Sequence, residues 1–146
     1  MAGKSFINGT RRLIYFGGSN EKAMSEADRT LGWNWTFWKR VLRPVIEEIG
    51  AKSVLYPALV APDSPLPIRA GEAEGVEFFA RQVGKQLFLL VCKREGKTVQ
   101  VTFSGLPAPA KTGEVLFEAP RQMAASNGQF TDWFGPFEVH VYRFEL

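Results

Sequence analysis

The two ends of this chain carry different hydrophobic periods, and that difference limits what its 146 residues can build. The first third reads as an α/β unit: Leu13 to Phe16 form a short apolar strand before the loop Gly17-Gly18, and a helix starting near Asn34 follows. From Val76 to the C-terminus the pattern holds only strands and turns. A lone β-loop-α unit cannot bury both faces of its strand. The first third is therefore expected to be the end of something larger. The fold class expected is mainly β, an antiparallel β-sandwich preceded by an α-helical arm.

The helix from Asn34 or Trp35 to Ile49 repeats Phe37, Trp38, Val41, Leu42, Val45, Ile46 and Ile49 at steps of three and four, with Gly50 ending it. Pro44 lies inside that pattern and should kink or divide it. The polar segment Asn20 to Arg29 suits a short surface helix. Leu55 to Arg69 holds four prolines in fifteen residues and is expected to be an extended connector. The expected division is 1–56 as a β-loop-α arm, 57–75 as the Pro-rich connector and 76–146 as the sandwich.

Within the last part, Val76 to Val83 and Gln86 to Lys93 flank Gly84-Lys85, a hairpin signal. In the next strand Val99, Val101 and Phe103 alternate with Gln100 and Thr102, giving one buried and one wet face. Glu114 to Glu118, Gln122 to Ala125 and Phe137 to Glu145 follow as strands, and Asn127 to Pro136 reads as turn-rich. Six or seven short strands at this spacing indicate an antiparallel sandwich.

The net charge of +3 arises from 18 basic and 15 acidic residues scattered singly. Nucleic-acid binding needs clustered Lys and Arg, so that class is set aside. No stretch approaches the roughly 18 apolar residues of a membrane span, and the first ten residues lack a signal-peptide apolar region, so no membrane partner is expected and the compartment stays open. The single cysteine, Cys92, excludes an internal disulfide, and no metal-ligand spacing is visible, so no cofactor or metal is expected.

Taken together, residues 5–18 (SFINGTRRLIYFGG), the stretch WNWTFWKRVLRPVIEEI and the strands LFLLVCKREGK, VQVTFSGLP, GEVLFE and FEVHVYRF resemble the C-terminal end of a glycoside hydrolase. In that family a (β/α)8 catalytic barrel is followed by a small β-sandwich. The resemblance implies that the first segment is the last barrel strand and the second the closing helix. It also implies that the catalytic carboxylates lie on earlier barrel strands. Two carboxyl groups about 5 to 10 Å apart are the minimum equipment of a glycosidase. The glutamates here, such as Glu77 and Glu138, fall on surfaces, turns and strand ends with no motif pairing them, so no catalytic residue is expected.

Sugar rings present flat C–H faces that Trp, Tyr and Phe stack against, while Asp, Asn, Gln and Arg address hydroxyls. Residues 127–136 (NGQFTDWFGP) bring Phe130, Trp133 and Phe134 beside Asp132, and Trp33 and Trp35 crowd the start of the helix. These six are the candidate carbohydrate-binding residues. The alternative is packing, with the tryptophans closing the sandwich end or a neighbouring surface. His140, the only histidine, is expected to be a structural or exposed side chain on a terminal strand rather than a catalyst. The expected role is a non-catalytic accessory domain whose partner is polysaccharide. The alternative is a structural module that forms a homo-oligomer through its helical arm.

Overall fold

The computed structural model describes Thr30 and residues 38–146. The expected strand Leu13 to Phe16, the segment Asn20 to Arg29, the helix start at Asn34, and Trp33, Trp35 and Phe37 lie outside the described residues. The chain divides into two compact units, with the join between Tyr56 and Pro57.

In the unit ending at Tyr56, a π-helical turn over Trp38–Leu42 runs into helix α1, Arg43–Ile49. Pro44 is the second residue of α1 and has no N–H to bond back to the preceding turn, so the change from π to α winding falls beside it. The proline thus divides the apolar pattern as its chemistry dictates. Arg43 Nε meets Glu47 Oε1 at 2.8 Å one turn on. Gly50 then closes the helix with its N–H on Ile46 O at 2.7 Å, in a corner where a Cβ would stand only 2.5 Å from that oxygen.

The unit from Pro57 to Leu146 is the antiparallel sandwich. Its eight described strands are β1 (Arg69–Ala70), β2 (Val76–Val83), β3 (Gln86–Lys93), β4 (Val99–Ser104), β5 (Thr112–Leu116), β6 (Gln122–Ala124), β7 (Gln129–Phe134) and β8 (Val139–Glu145). They form a five-stranded sheet ordered β2-β3-β8-β5-β6 and a three-stranded sheet ordered β1-β4-β7. The Gly84-Lys85 hairpin is present, with Val83 opposite Gln86 and Gly84 at φ 58°, the left-handed conformation that a two-residue turn needs at its first position.

Two elements lie inside the Pro-rich stretch expected to be extended. Helix α2, Tyr56–Val60, takes Pro57 in its first turn, and β1 pairs Arg69 with Ser104 and Ala70 with Phe103. The last strand starts at Val139 rather than Phe137, because Phe137 sits at φ 64°, outside the extended region. The larger correction concerns residues 127–136, expected to be turn-rich: their centre is the regular strand β7.

The inter-sheet core is aromatic. Phe103 stacks on Phe130 with centroids 5.0 Å apart, and Phe130 meets Tyr142 edge-on at 4.9 Å. Leu87, Leu89, Val91, Val101, Phe134 and Phe144 complete it. Truncating one such ring to alanine costs about 3–5 kcal/mol. Gly113 belongs to this packing, since a Cβ there would stand 2.5 Å from the Phe144 ring. The run Leu87 to Cys92 is buried at every position, so β3 is covered on both faces, and Cys92 is one of its buried apolar groups. That explains a continuous apolar run where a half-wet strand would alternate. Phe79, Phe88, Leu90, Leu116 and Val141, which share the outer face of the five-stranded sheet with Cys92, are likewise shielded from solvent.

Candidate functional site

Strand β7 directs its side chains alternately to the two faces of the three-stranded sheet. Phe130, Asp132 and Phe134 point inward, while Gln129, Thr131 and Trp133 point out. Phe130 and Phe134, expected among the carbohydrate contacts, are packed in the core, 3% and 0% exposed, and offer no ring face to a ligand. Trp133 is 58% exposed. The structure therefore separates the residues of this segment by face.

Asp132 is inward-facing and fully engaged. Its Oδ2 accepts the Tyr142 hydroxyl at 2.7 Å and Arg121 Nη1 at 2.8 Å, and its Oδ1 accepts the Trp133 backbone N–H at 2.8 Å. Arg121 Nε donates to Glu118 Oε2 at 2.9 Å, and Nη2 lies 2.5 Å from His140 Nδ1. His140 Nδ1 also lies 3.3 Å from Asp132 Oδ2, and its Nε2 faces Glu138 Oε2 at 3.4 Å. Burial opposes ionisation of Asp132, but the hydrogen bonds from Tyr142, Arg121 and the Trp133 amide outweigh it and hold the carboxyl below its usual range. The same burial and the Asp132 contact push the Tyr142 hydroxyl up. For Arg121, burial works against the charge, and Glu118 and Asp132 more than compensate, raising its value.

This cluster joins β7 of one sheet to β8 of the other through the β5–β6 connection. It is a clasp whose members satisfy one another, and Asp132, expected to address sugar hydroxyls, is occupied inside it. His140 stands within the same clasp, tilted against Phe134 with centroids 4.7 Å apart. Among the described residues no group of three or more His, Cys, Asp or Glu is placed to hold a metal ion.

The outward face of the three-stranded sheet has a different chemistry. Strand register sets Gln100 beside Trp133, Thr102 beside Thr131 and Ser104 beside Gln129 and Arg69. The Thr102 and Thr131 hydroxyls are 2.9 Å apart. All of these except the half-buried Ser104 are exposed. The sequence showed the wet positions Gln100 and Thr102, but their union with Trp133 depends on the β4–β7 pairing, which local pattern does not encode. A separate cavity of about 580 Å³ lies between Leu106–Lys111 and Ala125–Gly128 and has no aromatic in its lining.

No family model matches the chain, and no curated protein matches it. Solved structures with partial likeness include glycoside hydrolase chains. A GH30 endoxylanase from Clostridium papyrosolvens aligns with TM-score 0.46 and 14% identity over 53% of this chain and 22% of its own. An Anoxybacillus alpha-amylase gives 0.46 and 19% over 61% and 19%. A family 30 subfamily 8 xylanase from Clostridium acetobutylicum gives 0.43 and 13% over 54% and 24%. The chain thus spans between 19% and 24% of the length of these structures.

Proposed function

We propose that this chain is the non-catalytic, C-terminal accessory part of a barrel glycoside hydrolase and that its sandwich contributes contact to carbohydrate. The observation that carries this reading is Trp133, 58% exposed near the end of the edge strand β7 on an otherwise polar sheet face. A large indole held in water has no packing reason to be there, whereas beside Gln100 and Thr131 it offers what a sugar ring needs, a flat apolar surface with an amide and a hydroxyl at its margin. The sequence resemblance supports the same setting.

Affinity electrophoresis of the full chain through gels containing soluble xylan or β-glucan tests the reading. Loss of a stacked aromatic costs on the order of 1–3 kcal/mol. Trp133→Ala should therefore weaken retention about tenfold or more at an unchanged melting temperature. Equal retention of both proteins, or a large fall in melting temperature, would assign Trp133 to packing.

A second reading has its own observation. In the unit ending at Tyr56, Trp38, Val41 and Ile46 are exposed at 39%, 48% and 40%. An apolar stripe of this kind suits a second copy of the chain, making the helical segment an oligomer interface.

A further inference from the structure

We infer that the ligand of the β1-β4-β7 face is an extended, uncharged polysaccharide chain that crosses the strands in a shallow trough floored by Gly71, Thr102 and Thr131. The inference rests on the reading of Trp133 given above and goes beyond it by specifying the ligand's shape, path and charge.

The floor follows from register. Gly71 donates its N–H to Thr102 O at 2.8 Å, so it continues the line of β1 beside Thr102, which in turn pairs with Thr131. This middle row therefore carries no side chain, then two short ones. Two residues away along the strands stand the flanking rows: Gln100 with Trp133 on one bank, and on the other Arg69 and Gln129, which rise on either side of the short Ser104 between them. Two residues of strand advance about 6.7 Å, which puts the two banks roughly 13 Å apart. A depression of that width and one short side chain deep accepts a chain a single sugar ring wide lying flat. A helically coiled glycan touches such a floor at one turn only.

The chemistry of the floor matches a polyol. One threonine hydroxyl donates to the other across 2.9 Å, and the pair keeps one outward proton and free lone pairs. Gln100 and Gln129 bring amide donors and acceptors on opposite banks, and Trp133 supplies the stacking surface. Charge narrows the class further. Arg69 is the one formal charge among these side chains, so the described residues of the rows bring neither the cationic cluster that holds a polyanion nor a carboxylate to attract a cationic peptide.

The test uses the full chain in affinity gels loaded with xylan, mixed-linkage β-glucan, glycogen or polygalacturonate. A Cβ at Gly71 would meet Thr102 O at 3.4 Å, ordinary contact, so Gly71→Phe fills the trough without forcing the backbone. We expect retention by xylan or β-glucan above that by glycogen and polygalacturonate, and at least a tenfold loss in Gly71→Phe. The double variant Thr102→Val/Thr131→Val, which keeps shape and removes the hydroxyls, should lose severalfold and provides the readout if Gly71→Phe fails to fold. Retention lost in Trp133→Ala but kept in Gly71→Phe and in the double valine variant would overturn the trough and leave the Trp133 reading standing. Preference for glycogen or polygalacturonate would overturn the ligand class, and no retention by any polymer would overturn both.

Discussion

Asp132 ties the two sheets together with one carboxylate. Tyr142 reaches it from the five-stranded sheet, Arg121 from the β5–β6 connection, and the Trp133 amide from the next residue of its own strand. Because these donors hold its pKa below the unfolded value near 3.9, the charged form is favoured more in the folded than in the unfolded chain. That contribution is present above about pH 4 and is lost as pH falls through the depressed folded value. Urea midpoints measured from about pH 2 to pH 7 should therefore drop on the acid side in the natural chain, with a visibly flatter acid limb in Asp132→Asn. Parallel curves for the two proteins would remove Asp132 from the clasp. The sequence pointed to Asp132 as a polar residue beside aromatics, which is correct as chemistry, but it could not show which face of the strand the carboxylate takes.

At the scale of elements, legibility followed periodicity. The β2–β3 hairpin and β4 were readable because their apolar residues are continuous or alternate cleanly, and Gly84-Lys85 marks the turn between the first two. Strand β7 was not readable, since its alternation is inverted at the informative positions: the polar Asp132 faces in and the aromatic Trp133 faces out. A segment that breaks the rule of apolar inside and polar outside is where a site is to be looked for. Strand β1 has two residues in a Pro-rich stretch and no period to detect. The apolar pattern of Trp38–Ile49 was legible, yet Trp38, Val41 and Ile46 are exposed in the folded chain. If this stripe receives a second copy, light scattering of the full chain should give a dimer mass that falls to the monomer in Val41→Glu/Ile46→Glu. A monomer mass for both proteins would dismiss the oligomer reading.

At the scale of the whole sandwich, the two sheets differ in what they leave open. The centre of the outer face of the five-stranded sheet is shielded from solvent, with Phe88, Leu90 and Val141 at 1%, 3% and 5% exposure, while Val139 at its end is 42% exposed. The outer face of the three-stranded sheet is wet and carries Trp133, and the proposed ligand contact lies there. The most direct measurement is a heteronuclear NMR titration of the full chain with a linear xylo- or cello-oligosaccharide. Shifts are expected only at the backbone amides of Gly71, Gln100, Thr102 and Thr131 and at the amide and indole of Trp133. Shifts centred instead on the cavity near Lys111 and Asn127, or no shifts at ligand saturating for retention, would contradict the proposed contact.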